Sequence, residues 1–97
     1  MPKTSIDADY AAAISIKVLA FLAQNSQRLA RFLDLTGVEP AALRTLALER
    51  EFQSAVLEHM LGDENMVIEF CAIEAIDPAI PAAALQVLSP SPYKGED

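Results

Sequence analysis

The strongest pattern in the chain lies between Ala11 and Ala23, where Ile14, Val18, Phe21 and Leu22 recur at helical spacing. Ile16 and Leu19 widen that stripe until the helix is apolar over much of its circumference. Such a helix is expected to be central and contacted on more than one side. Thr4-Ser5-Ile6-Asp7 ahead of it matches a capping box, and the spacing predicts an end near Ala23. Asn25-Ser26 then offers an N-cap to a second helix, about Gln27 to Thr36, burying Leu29, Phe32, Leu33 and Leu35. Arg28 and Arg31 fall on its other side.

From Pro40 to Leu61 no Gly or Pro intervenes, but the hydrophobic phase changes. Leu43 and Leu46 share one face, while Phe52, Val56, Met60 and Leu61 form another beyond Glu49-Arg50-Glu51. The pattern predicts a short helix, a break near Leu48 to Arg50, and a longer helix to Leu61. Gly62 ends that helix and Asp63 caps the next, whose stripe is Met66, Val67, Phe70, Cys71 and Ile73, running on to Ile76. Asp77-Pro78 breaks the chain, and Pro81 suits the first position of a final short helix. The fold class is therefore all-α, a compact orthogonal bundle of five or six short helices with no sheet. Residues 1–88 form one domain, and 89–97, "SPSPYKGED", read as a flexible tail.

The corner between the second and third helices is the densest local signal. Gly37 after Thr36 fits a left-handed helix stop, with a Schellman contact between Val38 and Leu33. Glu39 falls at the next N-cap and Pro40 at the first helical position, so the flanking helices are expected to pack together. A helix-turn-helix is the sharper alternative, with "PAALRTLAL" as the reading helix. Reading needs three or four side chains that reach base edges, and this stretch offers Arg44 with Thr45 as a weak second. A helix-hairpin-helix fails as well, because Glu39 stands where a second glycine would approach phosphate.

Composition sharpens these limits. The 97 residues are 53% hydrophobic, enough for one modest core. Net charge is −7, which disfavours nucleic-acid and anionic-membrane partners. The charge is lopsided: residues 1–50 hold six bases and five acids, residues 51–97 one base and nine acids. That polarity suits a basic partner or head-to-tail association, and a solvated acidic half is its plainer meaning. One Cys and one His cannot build a His/Cys zinc site, and no run is long enough to span a bilayer. The N-terminus lacks the charge pattern of a signal peptide, so the chain reads as soluble and cytoplasmic.

Candidate chemistry is sparse. Arg28 and Arg31, three apart on one helical face, and Arg44 beyond the corner form a candidate partner surface; the plainer account is three solvated arginines. His59 lies beside Glu58 and four residues before Asp63, but no nucleophile motif accompanies it, so a rim histidine is expected. An enzyme would need a concave pocket converging on His59. Cys71 within "VIEFC" reads as a small buried hydrophobe. Asp63, Glu64 and Asn65 are too few and too close together for a calcium loop, and acids there answer the helix dipole.

Phe32-Leu33, Thr36-Gly37, Leu43-Arg44, Phe52, Val56-Leu57, Asp63 and Val67 to Cys71 occur in an order and spacing that is familiar. The chain resembles the small bacterial family catalogued as domain of unknown function 3572, over about residues 10 to 76. That family typically places Asp then Pro before its fourth helix, where this chain has Glu49 and Arg50, and the segment after Pro81 also departs from it. The resemblance implies a bacterial helical domain and brings no activity, cofactor or catalytic residue. The sequence points to a non-enzymatic protein–protein interaction domain, with a protein partner or a second copy of itself and no cofactor or metal. The alternative is a nucleic-acid-associated accessory protein with a degenerate helix-turn-helix-like corner.

Overall fold

The computed structural model describes residues 6–89. Six helices follow one another: α1 (Ala8–Ala23), α2 (Ser26–Thr36), α3 (Leu43–Leu46), α4 (Arg50–Leu61), α5 (Glu64–Glu74) and α6 (Ala79–Leu88). A 3-10 turn, Pro40–Ala42, leads into α3, and no strand occurs among the described residues. The all-α bundle read from the sequence is the fold. Thr4 and Ser5 of the expected capping box and residues 90–97 of the expected tail lie outside the described residues. Asp7 itself caps α1, its Oδ1 accepting the Tyr10 N–H at 2.8 Å.

Helices α1, α4 and α6 pack on one another and form the centre. Ile14, Val18 and Leu22 of α1, Val56, Leu57 and Met60 of α4, and Ala84 and Leu88 of α6 are buried there. Helix α2 lies on α1 and α5 on α4, and two edge-to-face aromatic pairs tie this outer layer down. Phe21 meets Phe70 at 5.6 Å and Phe32 meets Phe52 at 5.7 Å between ring centroids. Burying a ring such as Phe32 completely contributes roughly 2–3 kcal/mol. Helix α6 leaves α5 at 102°, which returns it to the central layer. No single helix among the described residues is long and apolar enough to cross a membrane.

The expected break between α3 and α4 is present at residues 47–49. Asn25 caps α2 and Asp63 caps α5 through their side-chain oxygens, as their positions implied. Several details differ from expectation. Leu35 is 70% exposed and Ile73 62% exposed, so neither belongs to the core stripe. Ile16 is also exposed, because contact on several sides of α1 still leaves one face open. Helix α6 begins two residues before Pro81, with Asp77 accepting the Ala79 N–H at 2.8 Å. Pro81 is thus third in the helix, within the first turn, where a missing N–H costs nothing.

The corner is a simple left-handed cap, not a Schellman motif. Gly37 has φ +73° and its N–H donates to the Leu33 carbonyl at 2.8 Å. The Val38 N–H goes to Thr36 Oγ1 at 3.4 Å, and that hydroxyl donates to the Phe32 carbonyl at 2.9 Å. Val38 and Glu39 carry the chain to Pro40 without a side-chain cap. The helices flanking the corner do not pack extensively on each other, since α2 lies on α1 instead. The six-to-one bond of a Schellman motif appears at the end of α5, where the Ile76 N–H donates to the Cys71 carbonyl, which also takes the Ala75 N–H at φ +58° in the simple left-handed pattern.

Candidate functional site

The ends of three helices leave a cavity of about 630 Å³. Asn25, Gln27, Arg28 and Arg31 line it from α2 and its cap, His59 from α4, and Gly62, Asp63, Glu64 and Met66 from the turn into α5. Its position follows from the caps. Asn25 and Asp63 each start a helix by taking two backbone N–H groups at 3.0–3.3 Å, which sets the first turns of α2 and α5 around the same hollow.

Arg28 is held in place on two sides. Its Nη2 donates to Glu69 Oε1 at 2.8 Å, and its guanidinium lies 5.1 Å from the Phe21 ring centroid. The Glu69 hydrogen bond holds the guanidinium above its ordinary pKa, and the same bond holds Glu69 below the usual carboxylate range. Arg31, one turn along the same face, is exposed and makes no ion pair among the described residues. Arg44 is exposed on α3 and does not line the cavity. Two of the three candidate arginines therefore come together, and the third does not join them there.

His59 is half-buried and meets Phe32 edge-on, with ring centroids 5.0 Å apart. Its Nε2 is closed off from solvent and has no hydrogen-bond partner among the described residues. Burial lowers its pKa first and the Arg31 charge lowers it further, with Asp63 opposing in part. The ring is therefore neutral at neutral pH. The concave pocket required of any functional histidine is present here, so His59 is a wall of a cavity rather than a lone surface group.

The two carboxylates of the cavity differ in availability. Asp63 Oδ1 is engaged by the N–H groups of Asn65 and Met66. Glu64 in the first turn of α5 is exposed. The lining is consequently cationic on the α2 side and acidic on the α5 side. No group of three or more His, Cys, Asp or Glu residues suited to a metal occurs among the described residues. Cys71 lies elsewhere, 4% exposed, with burial and then Asp77 pushing its thiol pKa up.

Sequence reasoning treated His59, Asp63 and Glu64 apart from the arginines, because about thirty residues separate the two groups. One signal was available. His59 falls three residues after Val56 and seven after Phe52, on the core-facing stripe of α4, so a polar group there had to border the core or a hollow.

A family model described as protein of unknown function (DUF3572) matches residues 8–91. The chain belongs to that family. The match contains all six helices and therefore both walls of the cavity. It agrees with the resemblance read from Phe32 to Cys71. No curated protein and no solved structure matches the chain. Membership of DUF3572 thus carries no function of its own, and a functional reading must come from the cavity.

Proposed function

We propose that this protein is a non-enzymatic interaction domain that receives an acidic segment of a partner protein at the cavity between α2, α4 and α5. The observation that carries this reading is the pairing of a fixed arginine with an uncommitted one. Arg28 is locked by Glu69 and Phe21, while Arg31 beside it makes no ion pair among the described residues and offers a fork of donors. Leu35, one turn beyond Arg31 and 70% exposed, extends the same face with an apolar contact. A peptide bearing an acid about one turn from a large hydrophobe matches that face.

Glu64 and the net charge of −7 favour a single carboxylate over a polyanion, which ranks nucleic acid below an acidic peptide. Binding is preferred to catalysis because His59 is held neutral with its Nε2 enclosed, and the residues that line the cavity include no hydroxyl or thiol nucleophile.

The test is fluorescence anisotropy with labelled peptides that pair Leu or Phe with Asp or Glu at helical spacing, against peptides with Lys in place of the acid. Acidic peptides should bind better, and Arg31→Glu should reverse the preference. Equal binding of both peptide sets, or no response to Arg31→Glu, would sink the reading.

A further inference from the structure

A second surface stands apart from the cavity. The outer face of α1 carries Asp9, Tyr10, Ala13, Ile16, Lys17, Ala20 and Ala23, all exposed. The opposite face of the same helix is fully buried at Ala11, Ile14, Val18 and Leu22. Tyr10 and Ile16, 40% and 43% exposed, are three residues to either side of Ala13. Asp9 and Lys17 are four residues to either side of it. The face therefore carries a large apolar side chain three residues to either side of Ala13 and opposite charges four residues to either side, with a small residue at its centre.

That arrangement is what a two-fold interface requires, because the same patch must complement itself. We infer that the outer face of α1 docks the same face of a second copy of this chain, the two helices antiparallel and Ala13 on the two-fold axis. In the commonest crossing class, rows of residues four apart lie alongside each other at the contact. The row Asp9, Ala13, Lys17 then meets itself reversed, and each Asp9 faces the Lys17 of the other copy. The alanine at the crossing lets the two backbones approach closely, and Tyr10 and Ile16 cover the flanks.

Charge supports a second copy as the occupant. Each chain carries −7, so two copies are held together only where acid and base meet reciprocally, and this face offers one such pair, Asp9 with Lys17, although Glu74 lies beside Lys17. Lys17 already lies 3.3 Å from Glu74, yet its ammonium has three donors and its side chain is 55% exposed, which leaves it able to take a second carboxylate. One helix of about 24 Å makes a small contact, so the dimer should exchange with monomer as concentration changes.

The inference is independent of the peptide site and is tested on different residues. Sedimentation of the full chain should show a monomer–dimer equilibrium that Ala13→Glu abolishes. Asp9→Lys should weaken it, and Asp9→Lys with Lys17→Asp should restore it, circular dichroism showing each variant folded. Under oxidation Ala13→Cys should form a cross-linked dimer rapidly, since a residue on the axis meets its own copy. Ala20→Cys should not, because seven residues along the helix place the two sulfurs about 20 Å apart, far beyond disulfide reach. A strict monomer at high micromolar concentration would overturn the inference, as would a dimer insensitive to Ala13→Glu or cross-linking that is equal at both positions.

Discussion

Gln53 Nε2 donates to the Ala47 carbonyl at 2.9 Å, joining the first turn of α4 to the end of α3 across the break. Gln53 is 6% exposed, so this bond is made in the interior, and it satisfies the carbonyl of Ala47 at the C-terminal end of α3, while Glu49 gives the first turn of α4 no side-chain cap. The bond holds α3 and α4 together across the break at residues 47–49.

Gln53→Leu should therefore cost about 1–2 kcal/mol, a lost bond and a carbonyl left short of a partner. Gln53→Glu should cost more at neutral pH, because a carboxylate cannot donate and would face the carbonyl oxygen. Protonation lets it donate again, so the gap between Gln53→Glu and wild type should narrow as pH is lowered toward 4. Urea unfolding at two pH values checks this; Gln53→Glu as stable as wild type at pH 7 would refute the capping role.

Gly37 and Ala75 are the two described residues with positive φ, and they should respond in opposite directions to exchange of side chain. A Cβ on Gly37 meets none of the described residues within 4 Å, so Gly37→Ala carries only the backbone penalty, about 1 kcal/mol. Ala75 already bears that penalty at φ +58°. Ala75→Gly relieves it at some cost in unfolded-chain entropy, for a net gain of about 0.5 kcal/mol. Thermal melts should move by several degrees in opposite directions. A loss at Ala75→Gly as large as that at Gly37→Ala would contradict the left-handed cap.

These two positions also mark where the sequence is and is not informative. Gly37, Asn25, Gly62-Asp63 and Asp77-Pro78 punctuate the chain with residues whose backbone or side-chain chemistry demands a helix end, and all of these ends are where that chemistry puts them. Ala75 carries no such chemistry, and its left-handed turn is imposed by the Ile76 bond back to Cys71 and the 102° departure of α6. Leu35 and Ile73 have the spacing of core residues but lie at the margins of α2 and α5, outer helices that each pack mainly on one central helix, and both side chains stay exposed. The cavity was legible only as fragments. Arg28 and Arg31 share a face by helical geometry, but their meeting with His59 depends on how α2 and α5 are seated on the central helices, a tertiary outcome that local spacing does not encode.

Cys71 should be inert in the folded protein. It is 4% exposed and its thiol is held above its ordinary pKa by burial and by Asp77, so little thiolate is present and little of it is reachable. Labelling with an aromatic disulfide reagent should proceed only as the protein opens, and its rate should rise steeply with urea. Labelling within seconds in native buffer would show that α5 does not close over the sulfur. The same inertness makes Cys71 the internal control for cross-linking at Ala13→Cys.

His59 should make stability depend on pH above the carboxylate range. Its pKa in the folded state lies below the ordinary value near 6.5, so as pH falls through that value the unfolded chain takes up protons that the folded chain resists. Stability contributed by the neutral ring is complete above about pH 6.5 and is lost as pH drops below it. His59→Phe keeps the edge contact with Phe32, removes the enclosed Nε2 and removes the titration. Denaturation midpoints of wild type should fall relative to His59→Phe between pH 7.5 and 5.5, and Arg31→Ala should reduce the difference, since the Arg31 charge is one cause of the shift. Parallel curves would exclude a perturbed His59. An acidic peptide in the cavity reverses the electrostatics, because a carboxylate beside the ring favours its charged form. Binding should therefore take up protons, and affinity should rise as pH falls in wild type but not in His59→Phe.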